Sequence, residues 1–191
     1  MTFLPDFEIN PNGAISREFL KLNIDRFVQT CKFIQDLVYH RNTNKNDLLT
    51  IFTDKCGTCS TKHAILKSLE GENNFPDLKL MIGIFKMNSS NTPKINTVLA
   101  KYDLAYIPEA HCYLKYKNTV YDFTKQNSKP SDFLNDLLDE IEISPKQISD
   151  FKINYHKEFL IKWLGQNQDI NLTINEIWNI REECIYALSG I

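Results

Sequence analysis

Apolar positions mark out the elements of this chain before any residue is assigned a task. Ile24, Phe27, Val28, Cys31, Ile34, Leu37 and Val38 recur along one helical stripe, which predicts a helix over residues 24–39 with Asn23 as its cap. Before it, Pro5, Pro11 and the pair Asn12-Gly13 read as an irregular lead-in through residue 16. After a polar run, Asp47 opens a short helical segment over residues 48–52. Ile65, Leu66 and Leu69 form the apolar face of a helix running from Cys59 to Glu70, with Gly71 as its stop. Residues 78–85 are almost continuously apolar and predict a buried strand. A short helix over residues 94–101 follows, and Pro108 closes that irregular stretch. Residues 110–116 and 119–123 predict two strands joined by Lys117-Asn118. From Ser131 onward the pattern reads as helical. Ser131 caps residues 133–138, Pro145 starts another helix, and Phe159, Leu160, Trp163 and Leu164 cluster on a third. Thr173 with Glu176 forms a capping box for a last helix that buries Ile177, Ile180, Cys184 and Leu188.

These elements predict an α+β domain, a small antiparallel sheet packed on the helix that begins at Cys59, with extra helices at the C-terminus. The 191 residues fit a single domain, with a core over about residues 24–125 and a helical part over about 131–191. The net charge of -2 argues against a dominant nucleic-acid footprint, which would be basic. The first residues carry no basic region and no apolar run of signal length, and no later stretch reaches membrane-span length. A cytoplasmic protein without membrane contact is the expectation, its oligomeric state open. Five cysteines, an odd number, fit reduced thiols better than a disulfide framework.

One placement changes the picture from fold to chemistry. Cys59 stands at a helix start, where Ser, Thr, Asp or Asn would cap better. There a thiol feels the positive end of the helix dipole, which favours the nucleophilic thiolate. The hairpin supplies partners. If Lys117-Asn118 is a two-residue turn, Tyr116 pairs with Thr119 and Asp122 lies opposite Tyr113. Asp122 then shares a face with His111, its diagonal neighbour at roughly 7–8 Å between backbones. A three-residue turn would put the two on opposite faces. In that register Cys59 is the nucleophile, His111 takes its proton and later protonates a leaving amine, and Asp122 fixes the imidazole. The backbone amide of Cys59 is a natural oxyanion donor.

Gly57-Thr58-Cys59, Ala110-His111-Cys112-Tyr113-Leu114 and Tyr121-Asp122-Phe123-Thr124 resemble the nucleophile loop, histidine strand and aspartate strand of the transglutaminase-like, papain-related cysteine enzymes. The longer strings around them are similar to a group of small prokaryotic proteins in that superfamily, over roughly residues 39–125. The resemblance implies a cysteine-dependent hydrolase or acyltransferase that works through a thioester on a peptide, protein or small amide, without a cofactor. The further domains and calcium dependence of classical transglutaminases find no echo here, so crosslinking is not carried over. Relatives place an aromatic or amide oxyanion partner upstream of the cysteine, for which Tyr39 and Asn42 are the nearest candidates.

Each residue also has a plainer reading. Free cysteine is most often a small buried apolar residue. Cys56 makes Cys56-Gly57-Thr58-Cys59 formally a C-x-x-C motif, a redox alternative in which no strand leads into it. His63 shares a helix face with Cys59, which raises a zinc alternative with Cys56, Cys59 and His63; a packing or supporting histidine near the site is the preferred reading. Glu109 is a rim charge or a substrate contact, with a solvated carboxylate preferred. Lys62 and Lys67 read as a solvated helix face, and His156 has no evident partner. A non-catalytic protein- or peptide-binding module on the same fold is the remaining alternative.

Overall fold

The computed structural model describes residues 4–75 and 77–189. Its helices are α1 (Ala14–Lys21), α2 (Phe27–Asp36), α3 (Thr50–Asp54), α4 (Cys59–Glu72), α5 (Asn96–Lys101), α6 (Asp150–Gln166) and α7 (Ile174–Ser189). The strands are β1 (Val38–Tyr39), β2 (Cys56–Gly57), β3 (Leu78–Asn88), β4 (Tyr106–Tyr116), β5 (Thr119–Tyr121) and β6 (Leu137–Ile143). Helix takes 47% and strand 21%, so the α+β class expected from the sequence holds. β1 and β2 form a parallel pair, and the other strands make one sheet in the order β5-β4-β3-β6. Among the described residues no helix is long and apolar enough to cross a membrane.

The chain divides into two compact units that interleave along the sequence. The first takes the chain up to Ile82, with Cys112–Pro130 and Ile141–Ser149. Its centre is α4. Ala64, Ile65, Leu66 and Leu69 are fully buried, as the apolar pattern requires, but Thr61, Lys62, His63 and Glu70 are buried with them. Buried polar groups need partners, and each has one. Thr61 donates to Asn42, Lys62 to backbone carbonyls, and Glu70 accepts from the Leu78 amide at 3.2 Å and from Lys67 at 2.7 Å. Lys62 therefore does not belong to a solvated face: its side chain is wholly enclosed, and Lys67 is half-buried on Glu70. The helix also runs past Gly71 to Glu72.

α1 lies where the sequence suggests only an irregular lead-in. Its cap comes from far along the chain: Glu72 accepts from the amides of Ile15 (3.1 Å) and Ser16 (2.7 Å) and from the Ser16 hydroxyl (2.6 Å). An anion at a helix N-terminus satisfies free N–H groups and opposes the dipole. A β-carbon on Gly13 would stand 1.9 Å from Glu72 Cδ, so only glycine leaves room for that carboxylate. Gly13→Ala is expected to displace Glu72 and destabilise the protein by about 1–2 kcal/mol, the value of a lost cap. Urea unfolding measures it, and a variant within about 0.3 kcal/mol of wild type would show that the cap contributes nothing.

The second unit comprises Gly83–His111, Ser131–Glu140 and Asp150–Ile191. α6 and α7 bury His156, Leu160, Trp163, Ile177, Ile180 and Cys184. Trp163 Nε1 donates to Tyr106 Oη at 2.8 Å, and Tyr102 Oη to Glu183 at 2.6 Å. The capping box of α7 forms as expected, with the Thr173 amide 2.7 Å from Glu176 Oε2. One helix expected near Ser131 does not form. Pro130–Asp132 and Leu134–Asp136 are 3-10 turns, and Leu137–Ile143 is the edge strand β6. Ile141-Glu142-Ile143 carries the two-residue alternation of a strand, and Asp139, Glu140 and Glu142 supply the charges that protect an exposed sheet edge.

Candidate active site

The loop before α4 is held from three sides. β2 pairs Cys56 with Val38 and Gly57 with Tyr39. The Asn42 amide donates to the Cys56 carbonyl at 2.9 Å, and its oxygen accepts from the Thr61 hydroxyl at 2.7 Å. The Thr58 amide donates to Thr61 Oγ1 at 3.0 Å, closing the first turn. Gly57 is closely packed: a β-carbon there would stand 3.0 Å from both Lys62 Cγ and Thr61 Oγ1 and would press on both. Thr58 is the extended N-cap residue and Cys59 the first residue of α4, the position argued from sequence. Cys59 is 7% exposed, with its sulfur 3.9 Å from Ser60 Oγ. The buried thiol of Cys112, from β4, donates to the same hydroxyl at 3.5 Å.

The hairpin has the register of a two-residue turn: Tyr116 pairs with Thr119, Lys115 with Val120 and Leu114 with Tyr121. Lys117 takes the left-handed conformation (φ 53°) that such a tight connection needs. The next step would set Asp122 opposite Tyr113, but the ladder stops at Tyr121. Beyond it the backbone docks on α4 instead. The Phe123 amide donates to His63 Nε2 at 2.8 Å, and the Thr124 amide to Asp122 Oδ1 at 2.9 Å.

His63 is fully buried, and both ring nitrogens serve the backbone. Because Nε2 accepts from Phe123, the proton sits on Nδ1, which donates to the Cys59 carbonyl at 2.7 Å. The ring is thus a neutral splint between the first turn of α4 and the segment after β5. Asp122 Oδ1 stands 3.6 Å from Nε2, a contact with a nitrogen whose lone pair is already used. That use counts against His63 as the base or as a metal ligand. Among the described residues no group of three or more His, Cys, Asp or Glu could hold a metal ion.

The other candidates fall as follows. His111 is half-buried on β4, its ring 4.8 Å from that of Phe133 and 6.3 Å from that of Phe85. The Tyr39 ring lies under the Lys125 ammonium at 4.6 Å. Asn42 holds the loop with both ends of its amide. Glu109 is not solvated: it is buried in a bidentate pair with Arg181, at 2.6 and 2.7 Å. His156 does have a partner, the Pro108 carbonyl at 2.8 Å. Burial pushes the Cys56 thiol above its ordinary range, the nearby Asp54 charge adds to this and Lys62 opposes it, which counts against Cys56 as a nucleophile.

Lys62 is the residue the sequence reading missed. A signal was present: a cation in the first turn of a helix opposes the dipole, and this one leads directly into an apolar run. Its ammonium donates to the carbonyls of Leu37 (2.6 Å) and Thr124 (2.9 Å), with Gln35 at 3.5 Å. Burial pushes its pKa down to about 8, against the pull of Asp36, Cys56 and Asp122. Compared with protein families, with curated proteins and with solved structures, the chain finds no match in any of the three.

Proposed function

We propose that this protein is a cysteine-dependent acyl-transfer enzyme with a transglutaminase-like core, in which Cys59 is the nucleophile, His111 the base and Asp122 its orienter. The observation that carries the reading is the position of Cys59 as the first residue of a buried helix, onto whose next turn the Asp122–Thr124 segment is docked. The hairpin register agrees with it, since Tyr116 pairs with Thr119 across the two-residue turn that the reading requires. Five free thiols suit a reducing, cytoplasmic setting, where a nucleophilic cysteine stays available.

In the proposed reaction His111 takes the Cys59 proton, and the thiolate attacks the carbonyl carbon of an amide. The Cys59 amide stabilises the oxyanion. His111 then passes the proton to the leaving amine as the C–N bond breaks, leaving a thioester on Cys59. Water or a second amine attacks that thioester, His111 takes the attacking group's proton, and the thiol is restored. Peptides, proteins or small amides are the substrate class.

Limited alkylation of the native protein at pH 7 with iodoacetamide, mapped by mass spectrometry, tests this reading. Cys59 is expected to carry most of the first equivalent of label, ahead of Cys31, Cys56, Cys112 and Cys184. Equal labelling of the five thiols, or preference for Cys56, would overturn it.

A further inference from the structure

We infer that Lys62 is a positioning residue of this site: its buried ammonium holds the carbonyl of Thr124 and so fixes the carboxylate of Asp122. The inference rests on the proposed reading of Cys59, His111 and Asp122. It starts from a gap in the sheet. β5 ends at Tyr121, so no ladder bonds fix residues 122–124. α4 replaces them with two consecutive side chains. His63 accepts the Phe123 amide, and Lys62 donates to the Thr124 carbonyl at 2.9 Å. Thr124 is thereby held at both ends, because its own amide donates to Asp122 Oδ1 at 2.9 Å. The Thr124 carbonyl and amide are separated only by the two backbone dihedrals of that residue, so fixing the carbonyl narrows the positions open to the amide and to the carboxylate it meets.

The position is a costly one for a lysine. It is fully buried, opposes the helix dipole, and its Cγ is packed where a β-carbon on Gly57 would stand 3.0 Å away. An apolar side chain would fill the same space without desolvating a charge. What the ammonium adds is three N–H donors and no acceptor, matched to the Leu37, Thr124 and Gln35 carbonyls. The Leu37 and Gln35 bonds anchor the ammonium against the end of α2, so it is a fixed point rather than a mobile one. Its lowered pKa, about 8, agrees with that burial.

The rate of Cys59 alkylation as a function of pH tests the inference, because packing alone does not move the midpoint of that profile. Measured proteins are the wild type, Asp122→Asn, Lys62→Met and the double variant, with melting temperature followed alongside. Asp122→Asn is expected to raise the midpoint by about one pH unit, roughly tenfold in rate on the acid side. Lys62→Met should move it in the same direction, and the double variant no further than Asp122→Asn alone. A wild-type midpoint in Lys62→Met with only a lowered melting temperature would overturn the inference, as would additive shifts in the double variant. Should Lys62→Met fail to fold, Lys62→Gln, which keeps N–H donors on a shorter arm, gives the same reading and the same overturning result. An unreactive Cys59 in the wild type sinks the site itself and this inference with it. A reactive Cys59 that responds to Asp122→Asn but not to Lys62 substitution sinks the inference alone.

Discussion

Arg181→Met should destabilise the second unit by about 3–5 kcal/mol, the cost of leaving one member of a buried ion pair without its partner. Arg181 Nε and a terminal nitrogen donate to the two oxygens of Glu109 at 2.7 and 2.6 Å, and another terminal nitrogen meets Glu182 at 2.6 Å. Burial alone would push the Glu109 carboxyl up. The charge and hydrogen bonds of Arg181 outweigh that, helped by His156 and Lys152, and hold it below the usual carboxylate range. Burial likewise works against the Arg181 charge, and Glu109 restores it. A depressed folded-state pKa contributes stability that is present above the unfolded value and lost as pH falls through the folded one. Wild-type stability should therefore rise from pH 3 to 5. Without Arg181 the sign reverses: the carboxyl's folded pKa lies above its unfolded value, so stability falls as pH rises from 5 to 8. Both tryptophans, Trp163 and Trp178, lie in this unit, so urea unfolding followed by fluorescence reports on it directly. Replacing Glu109 by methionine as well should recover most of the loss, since two apolar side chains leave no buried charge. A single variant within about 1 kcal/mol of wild type, or a double variant no better than the single, would show that the pair does not hold this unit together.

What the sequence disclosed divides along the range of the interactions. α4, β3 and the β4–β5 hairpin rest on periodicity and on a two-residue turn, both local, and they form at about the expected positions, although β4 starts at Tyr106 and runs through Pro108, and β5 stops at Tyr121 rather than at residue 123. Cys59 stood out for the same reason, as an unusual residue at a helix start. α1 escaped because its cap, Glu72, lies 57 residues away from Ile15. Glu109 read as a solvated carboxylate because its cation is 72 positions further on. Lys62 read as surface because the carbonyls that satisfy it come from the end of α2 and the segment after β5. β6 is a different case. Its strand alternation was local and visible, but short, and the 3-10 turns before it imitate the start of a helix. The catalytic elements proposed for this chain are the locally legible ones. The partners that show how His63, Lys62 and Asn42 hold them, the Phe123 amide, the Leu37 and Thr124 carbonyls and the Cys56 carbonyl, lie well away in sequence.

His111→Ala is expected to leave Cys59 in place but slow to react. A free thiol titrates near pH 8.5, so at pH 7 only a few per cent is the thiolate that attacks an alkylating reagent. Pairing with an imidazolium keeps the thiolate populated well below that pH. Removing the imidazole should lower the alkylation rate of Cys59 at pH 6–7 by about tenfold or more. The difference should close near pH 9, where the thiol ionises unaided. Turnover of any amide substrate should fall further, by about 10²–10⁴, because the leaving amine also loses its proton donor. Asp122→Asn should fall between, since the imidazole stays but its orientation and charge are less well supported. The pH dependence distinguishes this from a loosened fold, which would raise access to Cys59 at every pH and bring Cys56 and Cys112 into the labelled set. A His111→Ala protein that labels at the wild-type rate at pH 6 would remove His111 from the site. Cys59 would then be a reactive thiol at a helix N-terminus, its thiolate owed to the dipole alone.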